Sequence, residues 1–246
     1  MSALMRWFLS AKFSFLNPSY RRFAAEFRDF ERLSRNHPKR FRSAWKERYP
    51  MLDDRTTVTR FDAHYTYHPA WAARIIAEIK PSRHVDVSSS LAFGTILSAF
   101  VPVAFYDLRP AELTLSGLEC KRGDLTHLPF NDSSIESLSC MHVVEHVGLG
   151  RYGDTLDPEG DLKAMAELRR VLARGGSLLF VVPVGKPSLR FNAHRIYSYD
   201  QVVGSFGGLQ VRQFALIDDR GHFNIDAKAE DANAQEYGCG CWWFVR

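Results

Sequence analysis

The chain has 246 residues, 46% of them apolar and 13% aromatic, enough to bury one substantial core with a smaller appendage. Its four cysteines, Cys120, Cys140, Cys239 and Cys241, are too few and too scattered for a disulfide scaffold, so a reducing compartment and a cytoplasmic location are expected. The net charge of +4 is uneven: residues 1–50 hold 12 Lys/Arg against 4 Asp/Glu, an excess of +8 that leaves −4 for the remainder.

At the start of the chain, MRWFLSAKFSFL is broken by Lys12 and has no small-residue cleavage site after it, which argues against a signal peptide. No apolar run approaches the roughly 20 residues that span a bilayer. In SYRRFAAEFRDFERLSR, Phe23, Phe27 and Phe30 recur at helical spacing, which predicts an amphipathic basic helix capped by Ser19. Two uses fit such a helix: packing its aromatic stripe on the main domain, or peripheral contact through residues 1–50 with an anionic membrane at its inner face. Nucleic acid is not an expected partner, because the basic residues stay in one appendage and no nucleic-acid motif is present.

YPMLDDRTTVTRFDAHYTYHP reads as a connecting loop, punctuated by Pro50, an Asp pair and Pro69. Residues 1–60 are therefore read as extension and linker, and 61–246 as the main domain. PAWAARIIAEI predicts a helix starting at Pro69, with Trp71, Ile75, Ile76 and Ile79 on one face. Short apolar runs follow at 84–87, 103–108, 134–141, 177–184, 209–217 and 241–245, mostly separated by helix-like segments; the clearest is DLKAMAELRRVLARGG, with Gly175 as its stop. Strands alternating with helices predict an α/β fold with a mostly parallel sheet covered on both faces.

Ligands of such sheets sit beyond the carboxyl ends of the strands. The chemistry-bearing residues follow the strands directly: Asp86 and Ser88 to Ser90, Asp107, Asp124, His142, then Asn192, His194 and Arg195. Asp107 lies 21 positions after Asp86, close to the spacing of an acid that holds ribose hydroxyls.

The stretches VDVSSS, FYDLRP, RGDLTHLPFNDSSIESLSCMHVVEHV and ELRRVLARGGSLLFVVPV, in this order, resemble class I S-adenosylmethionine-dependent methyltransferases over roughly residues 68–200. Within that superfamily, DLRP, HVVEHVGLGRYGDTLDPEGD, VVPVG and FNAHRIYS are similar to the uncharacterised domain-of-unknown-function 268 family, whose bacterial members often accompany surface-glycan synthesis. The resemblance implies a Rossmann-like fold with a seven-stranded, mostly parallel sheet, and S-adenosylmethionine as cofactor. It places Asp86, Ser88, Ser89 and Ser90 at the methionine part of the cofactor, Asp107 and Leu108 at the ribose, Asp124 and Leu125 at the adenine, and His142 on the floor near the sulfonium. The glycine pair of such loops is missing: a serine in the left-handed conformation costs roughly 1–2 kcal/mol, yet serine hydroxyls can bond the cofactor carboxylate.

An oxygen nucleophile benefits from a general base, for which His142, His146 and His194 are candidates with Glu145 as acid partner. In MHVVEHV the pairs His142/His146 and His142/Glu145 share a face if the segment turns helical at once. The insertion GLGRYGDTLDPEGD reads as a surface loop offering Arg151, Tyr152 and Asp154 to a polyhydroxylated substrate, or as a turn into a helix capped by Asp157. Asn192 and Arg195 are further substrate-binding candidates, or loop ties. No metal is expected: CGC at 239–241 lacks a nearby Cys/His pair, and HVVEH is not the zinc-protease order. Two functions fit this chain: methyl transfer to a small or glycan-linked acceptor, and a non-catalytic scaffold on the same fold serving glycan assembly at the membrane.

Overall fold

The computed structural model describes residues 17–38 and 40–246. The reading of 5–16 as neither signal nor span lies outside those residues. The chain divides into two compact units, residues 1–60 and 61–246. Among the described residues no helix is long and apolar enough to cross a membrane.

In the first unit, α1 (Pro18–Ser34) is capped by Asn17, whose side chain accepts the Ser19 N–H at 2.9 Å, rather than by Ser19 as expected. Pro18 fits the first helical position, where no N–H is needed. The aromatic stripe finds its partner inside the unit: Trp45 packs against Tyr20, Phe23 and Phe27, with ring centroids 6.5, 6.1 and 5.2 Å away. Arg48 lies over the same indole at 4.4 Å and donates to the Tyr20 hydroxyl. Phe23 and Phe27, which a surface-attachment role needs on an open face, are thus committed to Trp45, and only Phe30 of the three stays exposed.

The second unit opens with α2 (Ala63–Ile79), six residues earlier than expected. Asp62 accepts the Tyr65 N–H at 3.1 Å as N-cap, so Pro69 falls inside the helix rather than at its start. Burial of Trp71, Ala72, Ile75 and Ile76 holds the helix through the proline. There follow β1 (His84–Val87), α3 (Leu91–Leu97), β2 (Val103–Asp107), β3 (Leu118–Arg122) and β4 (Ile135–Met141). α4 (Gly160–Val171) leads into β5 (Leu172–Val184), then a hairpin of β6 (Ser188–Arg190) and β7 (His194–Ile196), α5 (Tyr199–Ser205), β8 (Gln210–Ile217), β9 (Phe223–Asn224), α6 (Ala229–Asn233) and β10 (Gly238–Val245). Gly175 does not stop α4, which ends at Val171. It adopts φ +74° inside β5, where the register against β4 shifts between Ile135 and Ser137, and so serves a strand irregularity.

The sheet has eight strands rather than seven, in the order β3-β2-β1-β4-β5-β10-β8-β9. β3 through β5 are parallel, β10 runs antiparallel between β5 and β8, and the two-residue β9 adds the extra edge. One face carries Met165 and Leu168 of α4 and Phe206 beyond α5; the other carries Trp71 and Ile75 of α2 and Phe93 of α3. The strand order reverses between β1 and β4, which fixes where a ligand crevice forms.

Candidate functional site

At the carboxyl ends of β1 to β4 the loops wall a cleft of about 220 Å³. One wall is Ser88 after β1, Asp107 to Arg109 after β2, and Gly123 to Leu125 after β3; the other is His142, Val143, His146, Val147, Tyr152 and Asp154. The two walls touch where Arg109 stacks over the Tyr152 ring at 4.7 Å.

Ser88 takes the left-handed conformation (φ +57°) that a glycine would adopt freely. Its N–H and hydroxyl both donate to the Tyr106 carbonyl, at 2.8 and 3.1 Å, so the turn is locked to β2. Of the three serines only Ser88 lines this cleft. Ser89 is buried and accepts the Met141 N–H, and Ser90 caps α3 by accepting the Phe93 N–H. Asp86 is fully buried and also absent from the cleft lining; it accepts the Ser89 N–H at 3.0 Å and the Ser139 hydroxyl. Burial raises its carboxyl to about 6, against the opposing hydrogen bonds from Ser139 and Ser89. Asp86, Ser89 and Ser90 therefore shape the loop from beneath.

Asp107 and Asp124 stand at the cleft, each folded onto its own loop. Asp107 accepts the Arg109 N–H at 2.7 Å, and Asp124 accepts both the N–H and hydroxyl of Thr126 through one oxygen, Oδ1. Among the described residues the second oxygen of each has no hydrogen-bond donor. Leu108 and Leu125 supply apolar surface beside them.

After β4 the chain forms a 3-10 turn (Val144–His146), not an α-helix, and His142 adopts φ +57°. Even so, the expected pairing forms: the His142 Nδ1–H donates to Glu145 at 2.9 Å, with both side chains buried. The His146 Nδ1–H donates to the Ala193 carbonyl at 2.6 Å, which leaves its Nε2 as the lone-pair nitrogen, 3.7 Å from Glu145. His194 does not line the cleft; it packs on Tyr237 at 4.9 Å, and burial, then Arg190, lowers its pKa.

Other candidates prove to be ties. Asp154 accepts the N–H groups of Gly148, Gly150 and Tyr152 and so clasps its loop, while also facing the cleft. Arg195 donates to the carbonyls of Val147 and Pro158 and pairs with Asp161 at 3.5 Å. Arg151 donates to the Ala193 carbonyl, and Asn192 is exposed outside the cleft. Asp157 makes a turn with Glu159 and pairs with Lys163 instead of capping α4, whose N-cap is Glu159.

The first turns of α2 bring in residues that the sequence reading passed over. Tyr65 stacks on His142 at 5.3 Å, and His64 lies parallel to the same ring at 5.7 Å. His68 meets it edge-on at 5.1 Å, and Cys239 approaches the His142 Nε2 at 3.3 Å. Burial, reinforced by His142, lowers the pKa of His64 and takes His68 down to about 3, while burial and then Glu145 push Tyr65 up to about 12. The available signal was Asp62 three residues before Tyr65, with His64 and His68 four apart, a helix start overshadowed by Pro69.

Strand order, reversed β10 and a cleft at the switch point define the class: this is the class I S-adenosylmethionine-dependent methyltransferase fold. The N-methyltransferase NodS of Bradyrhizobium japonicum is similar at a TM-score of 0.50 with 13% identity, over 74% of this chain and 95% of that one. The methyltransferase-like protein BH2331 of Bacillus halodurans is similar at 0.50 with 16% identity, over 72% and 96%. Residues 130–235 match the family model described as "Caenorhabditis protein of unknown function, DUF268". A curated relative, the uncharacterised protein MJ0638 of Methanocaldococcus jannaschii, is 38% identical over 66 residues, 27% of this chain. The match spans 24% of that relative's length.

Proposed function

We propose that the chain is an S-adenosylmethionine-dependent methyltransferase acting on a small or glycan-linked acceptor. The observation that carries this reading is the convergence of Asp107, Asp124 with Leu125, and Ser88 on one cleft at the switch point. Asp107 has an oxygen available for the ribose hydroxyls and Leu125 an apolar face for the adenine, while the Ser88 turn borders the methionine end. When bound, the cofactor supplies an electrophilic methyl group. The chain's own contribution is positioning, together with proton removal from an oxygen or nitrogen acceptor. His146 suits that last role, because its Nδ1–H is committed to Ala193 and its Nε2 lone pair belongs to a residue lining the cleft.

Calorimetric titration with S-adenosylmethionine and with S-adenosylhomocysteine tests the reading. One-to-one micromolar binding is expected for both. No heat and no thermal stabilisation at millimolar ligand would instead favour a binding or scaffold protein on this fold.

A further inference from the structure

We propose that His64, His142 and Cys239 bind a zinc-class divalent cation beside the cleft. One ligand atom from each lies within 4.8 Å of the other two. Zinc bonds of about 2.0–2.1 Å to nitrogen and 2.3 Å to sulfur set nitrogen and sulfur roughly 3.5 Å apart on a tetrahedron. The His142 Nε2 and Cys239 Sγ already stand 3.3 Å apart.

The surroundings of His142 point the same way. Its Nδ1–H is held by Glu145, which fixes the tautomer with the Nε2 lone pair turned to the Cys239 side. A carboxylate behind a histidine is the usual support of a metal-bound ring. Glu145 itself is 1% exposed, and among the described residues its Oε2 has no hydrogen-bond partner and no Lys or Arg pairs with it.

Two imidazoles and a thiolate form a borderline-soft donor set that selects zinc over magnesium or calcium. Three protein ligands leave the fourth position for water or for an oxygen or sulfur atom of a substrate. Binding displaces the thiol proton of Cys239 to solvent, and both histidines ligate as neutral rings. Cys241, with its Sγ 3.9 Å from that of Cys239, remains a neighbour rather than a ligand. The linear sequence hides the site because its ligands come from α2, the loop after β4, and β10.

The test titrates chelator-stripped full-length protein with cobalt(II), then with zinc(II) against a chromophoric chelator. One equivalent of cobalt is expected, with the intense visible bands of a tetrahedral site and a thiolate charge-transfer band in the near ultraviolet. Cys239→Ser should abolish the charge-transfer band and Cys241→Ser should keep it. His64→Ala should weaken zinc binding at least tenfold, and Glu145→Gln roughly 10–100-fold. Circular dichroism confirms folding of each variant. Three results would each overturn the proposal: a folded wild-type chain that takes up no stoichiometric cobalt, a band that survives Cys239→Ser, or one that disappears in Cys241→Ser. No cofactor is present in this assay, so it fails or succeeds independently of the methyl-transfer reading.

Discussion

At the scale of single residues, the loop after β1 shows how a side chain can replace a glycine. Ser88 carries the left-handed conformation and secures it with two hydrogen bonds to Tyr106. The strain is local, because Ser89 and Ser90 are occupied in supporting β4 and capping α3. Under the proposed cofactor binding, Asp107 is the cleft residue that would hold the ribose. Hydrogen bonds to a charged acceptor contribute about 1.5–3 kcal/mol each, so Asp107→Ala should weaken S-adenosylmethionine binding by roughly 10–100-fold. Calorimetry reads the affinity and an unchanged melting profile confirms the fold; unaltered affinity would remove Asp107 from the cofactor site. That Asp107 stands at the cleft was legible from its place at a strand end. That Asp86 lies wholly beneath the loop was not, since an acid at the end of a buried strand reads the same whether it points into a crevice or into the core.

At the scale of elements, the strands were legible because apolar runs between turn residues leave few alternatives. The misplaced boundaries have identifiable causes. Pro69 has its usual place at a helix start, yet a helix with enough buried surface tolerates it inside, and the longer helix brings in His64, Tyr65 and His68. Gly175 has the signature of a helix stop because a bulge in a long strand leaves the same residue type there. The loop between β4 and α4 offers a paired test of glycine's role. Gly148 (φ +82°) passes so close to the turn before α4 that an added Cβ would run into the Asp157 carbonyl, whereas Gly153 (φ +85°) has nothing within 4 Å. Gly153→Ala should cost only the left-handed strain, about 1 kcal/mol. Gly148→Ala adds displacement of the Asp157 turn and should cost at least about 2 kcal/mol, a fall of roughly 4–8 °C in Tm. Equal losses in thermal melts of the two variants would mean that the approach of Gly148 to Asp157 does not hold the loop.

At the scale of the whole molecule, buried titratable groups on the α2 face of the sheet contribute to the response to acid. Burial takes His84 down to about 3; its Nε2–H donates to Ser139 at 2.8 Å, and its Nδ1 accepts the Ser137 hydroxyl at 2.7 Å. His68 is also down at about 3, from the usual 6.5, so both histidines stay neutral when folded but take up protons on unfolding below about pH 6.5. Their contribution is present above pH 6.5 and is lost as the pH falls toward 3. Asp86, raised to about 6 from 3.8, has the opposite sign: the folded chain holds its proton more tightly, so its contribution is present below about pH 4 and lost as the pH rises through 6. Between pH 4 and 6 the two histidines outweigh the one carboxyl by one proton, so these three groups together lower stability by about 1.4 kcal/mol per pH unit on acidification. Asp86→Asn removes the opposing proton and should steepen that slope to about 2.7 kcal/mol per unit, while His84→Gln should bring it close to zero. Urea unfolding at several pH values for the three proteins measures these slopes as differences, with the other carboxylates cancelling. Identical slopes would mean that Asp86 and His84 titrate in the folded chain as they do in the unfolded one, and that the buried chain through Ser139 does not hold them in the states assigned.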